Sequence, residues 1–234
     1  NDIFDISNDR HHPSKQYRPI ASGNLSIPIA FTLSLCSLFC GFFIAYLQSL
    51  ILLKMMIVYW LTSFLYSSFL KKIPVLDLII LALMYCWRIL AGGIATQIFI
   101  SEWLISFAFL FFLSLAFVKR STEISSFEKN NTKSLRGRGY LIKDNIFVKI
   151  CGIVSGFMSV VVFILYTHSP QVSLLYSKSN LLGLNSIIIL AWLMYIWLLT
   201  LREEMPTDPI IFALNDKISY VVLVLLLVIS FISI

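Results

Sequence analysis

The chain has 234 residues, 59% of them hydrophobic and 13% charged, with a formal net charge of +6 and a mean hydropathy of +0.87. Soluble domains of this size hold roughly 45–50% apolar and about 25% charged residues, so the balance excludes a soluble globular domain and points to an integral membrane protein. The basic excess sits beside apolar stretches, where it reports topology and phosphate ligands and gives no case for nucleic acid.

The first predicted element is NDIFDISND, which places Asp2, Asp5 and Asp9 three and four residues apart. Those steps return to one face of a helix. Two readings are open: a solvated acidic helix end, or hard oxygen ligands for Mg²⁺, which takes one or two carboxylates together with phosphate and water. Arg10, Lys15 and Arg18 follow at once, and carboxylate-held Mg²⁺ beside Lys and Arg is a way to hold a pyrophosphate. Pro13 and Pro19 are expected to stop the helix, and Gly23 to permit a sharp turn. His11 and His12 are read as loop residues outside any ligand set.

Seven stretches then follow, at 26–47, 49–70, 75–97, 103–118, 146–167, 181–201 and 218–234. Each is near the roughly 20 residues of a spanning helix. None alternates like a barrel strand, and lipid forces each span to satisfy its own backbone, so the fold class is an all-α integral membrane bundle. The connections before 26, around Lys71–Lys72, at 119–145 and at 202–217 carry almost all the Lys and Arg, whereas the opposite side carries only Lys178. Positive charge stays inside, which makes the charged side cytoplasmic.

Within the spans, Lys54 can snorkel outward. Asp77 lies near a cytoplasmic end, and Arg88, three turns deeper, is expected to be paired in the bundle interior or a polar cavity. Gly92–Gly93 are expected to thin or break their helix, and Gly152 and Gly156 to let helices approach closely. Cys36, Cys40, Cys86 and Cys151 all lie in apolar spans and read as small hydrophobes, with no zinc set or disulfide framework.

The connection at 119–145 opens with Lys119, Arg120 and Glu123 and later reads SLRGRGY, with Arg136, Arg138 and Tyr140. It is either a positive-inside loop touching anionic lipid heads or an anion pocket; the pocket reading fits Lys119, Arg120 and Glu123 best, because a helix end holds them. Further on, Asp208–Pro209 reads as a structural turn.

These residues resemble a known family. NDIFDISND is similar to the first aspartate-rich motif, NDxxDxxxD, of the UbiA superfamily of membrane prenyltransferases. The continuation DRHHPSKQYRPIASGNLS resembles the polyprenyl-phosphate (decaprenyl-phosphate) phosphoribosyltransferase-like branch, which includes members fused to a haloacid-dehalogenase-type domain. LDLIILALMYCWRILAGGIA, FLSLAFVKRSTEI, RGRGY and DPIIFALNDKIS follow in the order of that branch.

The resemblance implies a nine-helix bundle with a cytoplasm-facing active site in a bacterial inner membrane. The seven spans would be helices three to nine, and residues 1–234 one transferase domain lacking the first helix and most of the second. Residues 1–25 and 119–145 would be its two active-site loops. Where most members carry a second DxxxD motif, this chain has Lys119-Arg120-Ser121-Thr122-Glu123, which fits a phosphate-rich donor.

The implied function is Mg²⁺-dependent transfer from a pyrophosphate-bearing donor, phosphoribosyl pyrophosphate or a prenyl diphosphate, with a polyprenyl lipid as co-substrate. Asp2, Asp5 and Asp9 would hold the metal and act with Lys119, Arg120 and Glu123 at the reacting centre. Asn1, Lys15, Arg18, Arg136, Arg138 and Tyr140 would bind substrate phosphate. The alternatives are a 4-hydroxybenzoate-type aromatic-acceptor polyprenyltransferase and, from another class, a non-catalytic polyprenyl-lipid carrier or scaffold.

Overall fold

The computed structural model describes residues 2–10, 15–129, 139–170, 172, 176, 178–206 and 208–233. Its helices are α1 (Asp2–Asp9), α2 (Ile27–Gln48), α3 (Leu50–Ser68), α4 (Leu76–Thr96), α5 (Glu102–Lys129), α6 (Asn145–Thr167), α7 (Ser179–Leu182), α8 (Leu184–Leu201), α9 (Pro209–Ala213) and α10 (Lys217–Ser233). Among the described residues α2, α3, α4, α5, α6 and α8 are long and apolar enough to cross a membrane, and α10 is a shorter apolar helix of 17 residues. The all-α membrane class read from the sequence holds, with its last span short.

Several boundaries move for physical reasons. The fourth span was expected to end at 118, yet α5 runs 28 residues to Lys129. At 1.5 Å per residue it is roughly 42 Å long against a hydrocarbon core of about 30 Å. Its last turns thus leave the lipid as helix, so 119–129 do not open a loop. The span expected from 181 divides, with α7 ending at Leu182 and α8 starting at Leu184. Gly92 and Gly93 do not break α4, which continues to Thr96 and closes on Gln97 in the left-handed region at φ 59°.

The chain divides into two compact units, one of residues 1–80, 87–99 and 136–139, the other of 81–86, 100–135 and 140–234. In the first, Ser49 ends α2 and caps α3 by accepting the Leu52 N–H at 3.0 Å. Of α2 only Ala30 and Ala45 are buried, as for a helix solvated by lipid. Cys36 and Cys40 on it are free and exposed on this apolar surface. Gly23 turns the chain at φ 84°, as its lack of a Cβ allows.

Arg88 on α4 is partnered within this unit. Its Nε and Nη2 donate to the Tyr59 hydroxyl on α3 at 2.9 and 2.6 Å, and the guanidinium lies 5.4 Å from that ring's centroid. The side chain stays exposed, so its partner is a neighbouring helix rather than a buried interior.

The second unit is built on small residues. A Cβ added to Gly152 of α6 would stand 2.3 Å from the Trp197 ring of α8 and 2.5 Å from Phe117 Cβ of α5. That close approach lets one hydroxyl join three helices: Trp197 Nε1 donates to Ser114 Oγ at 3.0 Å, and Ser114 donates to the Gly152 carbonyl at 2.8 Å. Lipid gives no hydrophobic drive for helix association, so such packing and polar contacts carry it. Farther along, Phe107, Phe111, Phe163 and Trp192 pack around Val160, Ile189 and Leu193.

Candidate active site

Helix α1 forms as the spacing requires. Asp2 and Asp5 occupy its first turn, where backbone N–H groups favour negative charge. Its carboxylates go to two different cations. Arg18 Nη1 donates to Asp2 Oδ1 at 3.0 Å and to Asp9 Oδ2 at 2.9 Å, bridging them. Lys71, 9% exposed, donates to Asp5 Oδ1 at 2.5 Å. Among the described residues no group of three His, Cys, Asp or Glu is gathered closely enough to hold a metal ion. Arg10, expected to join the same pocket, instead donates to the Ala21 carbonyl at 3.1 Å.

Lys71 belongs to the turn Leu70–Lys72 that precedes α4. That connection is strained. Leu76 N–H bonds to the Pro74 carbonyl at 2.8 Å across Val75, which sits at φ 68°, ψ −48°. A β-branched side chain rarely adopts a positive φ, and such outliers gather near functional sites. Two residues on, Asp77 is fully buried. Gly139 lies against this turn: a Cβ there would meet the Lys72 carbonyl oxygen at 2.5 Å and Pro74 Cδ at 2.8 Å.

The second unit holds the other cluster. Lys119 and Arg120 stand side by side on α5 and point to different partners. Lys119 Nζ donates to Asp208 Oδ2 at 2.6 Å. Asp208 also caps α9, with its Oδ1 accepting from Ile210 N–H at 3.0 Å and Ile211 N–H at 3.4 Å. Burial opposes ionisation of this carboxyl, but the Lys119 ammonium and the two backbone donors outweigh it and hold its pKa below the usual carboxylate value. Arg120 is 1% exposed, ion-paired with Glu123 and 5.2 Å from the centroid of the buried Tyr140 ring. Beside them Ser121 donates to Asn145 Oδ1 at 2.9 Å, and Asn145 Nδ2 donates to Ser125 at 3.1 Å. Each face of the α5 extension is thus tied to a different element, which is why charged residues continue a helix here.

The site residues read from the sequence therefore fall into four groups. Asp2 and Asp9 share Arg18, and Asp5 takes Lys71. Lys119 takes Asp208, and Arg120, Glu123 and Tyr140 form a buried ion pair under an aromatic ring. Asn1, Arg136 and Arg138 lie outside the described residues, and Lys15 is described only as the start of the turn Lys15–Tyr17. Lys71, Asp208 and Asn145 escaped the sequence reading. Lys71 looked like a topology charge and Asp208 like a local turn; the partner of each lies 66 or 89 residues away.

Residues 1–233 match the family model described as "UbiA prenyltransferase family". The chain is similar to "Uncharacterized protein y4nM" of Sinorhizobium fredii, 35% identical over 94% of this chain and 43% of that protein. It is 29% identical to "Nodulation protein NoeC" of Azorhizobium caulinodans over 94% of this chain and 72% of that one. It is also 32% identical to the decaprenyl-phosphate phosphoribosyltransferase of Corynebacterium glutamicum over 57% of this chain and 41% of that enzyme. The chain thus spans less than half the length of the first and third of these relatives.

Proposed function

Since the chain belongs to the UbiA prenyltransferase family, we propose that it is a multi-pass membrane transferase that moves a phosphoribosyl group from a pyrophosphate donor to a polyprenyl phosphate and releases pyrophosphate. The observation that carries this reading is the acidic helix α1 with its own cations, Arg18 across Asp2 and Asp9 and Lys71 on Asp5. Similarity to decaprenyl-phosphate phosphoribosyltransferases favours the phosphoribosyl donor over a prenyl one. The one-sided distribution of Lys and Arg supports an active site on the cytoplasmic face, and the bacterial relatives favour an inner-membrane location.

Mg²⁺ fits these residues. Asp2 and Asp9 already place one oxygen each within hydrogen-bond reach of a single cationic nitrogen, and Mg²⁺ uses one or two carboxylates with substrate phosphates. When bound, it would draw negative charge from the departing pyrophosphate. Asp2 and Asp9 would hold it, with Asp5 in support. Arg18 and Lys71 would neutralise leaving-group charge as the glycosidic carbon becomes electron-poor. Lys119, only half-buried, would bind donor phosphate. Arg120, Glu123 and Tyr140 would keep the α5 extension rigid, and the apolar helices would sheath the polyprenyl chain.

The test uses the full-length protein in detergent, following pyrophosphate release with Mg²⁺. Phosphoribosyl pyrophosphate with polyprenyl phosphate is offered first, then a prenyl diphosphate with an aromatic acid. Consumption of the first pair, lost on chelation and in Asp5→Ala, is expected. Consumption of the second pair alone establishes an aromatic-acceptor prenyltransferase instead. Consumption of neither, with Asp5→Ala unchanged in every respect, leaves the carrier or scaffold reading.

A further inference from the structure

Helix α9 and its N-terminal Asp208 remain outside that mechanism. Asp208 spends each carboxylate oxygen separately: Oδ1 takes the first N–H groups of α9, and Oδ2 takes Lys119. The cap fixes the carboxylate from below, so the oxygen presented to Lys119 has one position. Lysine carries a compact charge on a flexible four-carbon stem and loses rotamer freedom when it binds a phosphate. A carboxylate locked by its own backbone contacts removes that freedom beforehand. Among the described residues Asp208 is the bonded partner of the ammonium, which has three N–H donors; two are left for a ligand. Both side chains reach solvent, at 37% and 25% exposed.

We propose that Asp208 is a positioning residue for donor binding: through Lys119 it aims an ammonium at a phosphate of the donor, which makes the DPIIFA segment part of the donor site. This rests on the transferase reading given above, with Lys119 as a phosphate ligand. A surface ion pair with no such task contributes little to stability, so the two roles separate by experiment.

The test compares Asp208→Asn, Asp208→Glu, Lys119→Met and the Asp208→Asn/Lys119→Met double variant in the full-length protein. Asn keeps the cap, because its side-chain oxygen still accepts the α9 N–H groups. Asp208→Asn is expected to raise the donor KM about tenfold, the scale of one charge-assisted hydrogen bond, with kcat within about threefold and the neutral-pH melting temperature lowered only by the small amount a half-exposed ion pair contributes. Asp208→Glu should recover part of the loss, and the double variant should be no worse than Lys119→Met alone. Pyrophosphate binding with Mg²⁺, read calorimetrically, supplies a measure that does not need turnover. About tenfold weaker binding in Asp208→Asn upholds the proposal even where neither donor pair reacts and the transferase reading fails. Unchanged pyrophosphate affinity and donor KM overturn it, as do additive effects in the double variant. No pyrophosphate binding by the unaltered protein overturns it too.

Discussion

Replacing Gly152 by alanine tests how the second unit is held. The added Cβ would meet Trp197 Cζ2 at 2.3 Å, Trp197 Cη2 at 2.4 Å and Phe117 Cβ at 2.5 Å. The last atom is fixed to backbone, so a rotamer change of the indole cannot relieve the clash, and α5 and α6 must separate. Overpacking of this kind costs about 1–3 kcal/mol. Separation also stretches the bonds through Ser114, at 2.8 and 3.0 Å, each worth about 1 kcal/mol. Alanine returns about 1 kcal/mol as the better helix former. The net loss is about 2–4 kcal/mol. The assay is thermal unfolding of purified protein in one detergent, with Gly41→Ala and Gly92→Ala as controls, since a Cβ at either meets nothing within 4 Å. The controls should melt at or above the parent and Gly152→Ala well below it. If all three variants melt together, the three-helix junction does not carry the load assigned to it.

Other outcomes follow from the same contacts. Glu123→Gln breaks the buried Arg120–Glu123 ion pair and should destabilise by about 3–5 kcal/mol, whereas the Arg120→Met/Glu123→Leu double variant should lose less; a single variant as stable as the parent contradicts the weight given to the pair. Val75→Gly relieves the positive φ of 68° and should raise stability by about 1 kcal/mol, read by the same melts; a lower melting temperature would count against strain there. The Asp208 carboxyl ionises more readily folded than unfolded, so its contribution is present above the unfolded pKa of about 3.8 and fades as pH falls through the lower folded value. A pH series of melts should show that acid-side loss in the parent and not in Asp208→Asn.

The spans were legible because lipid demands long apolar runs, and the aspartate helix because spacings of three and four residues define a face. What stayed hidden was pairing at a distance. Asp208 was rightly read as a local turn, as its cap on α9 shows, but nothing near it in sequence announces Lys119. Lys119, Arg120 and Glu123 looked like the start of a loop because charge normally marks solvent. Asp208, Glu123, Tyr140 and Asn145 give the polar residues of this stretch partners within the fold, so the helix persists. Gly92 and Gly93 looked like a break, yet helical backbone bonds need no side chain there.

The Arg18 and Lys71 contacts have a consequence for the resting protein. Three acidic groups on one short helix would drive it apart if their neutralisation depended on solutes. Here the polypeptide supplies its own counter-ions, two carboxylates on one guanidinium and one on an ammonium. Two internal cations against three carboxylates cut the repulsion to one net negative charge, so the segment keeps its shape through its own contacts. On the transferase proposal, loading such a lip would be an exchange of partners, its selectivity set by how well the newcomer replaces Arg18.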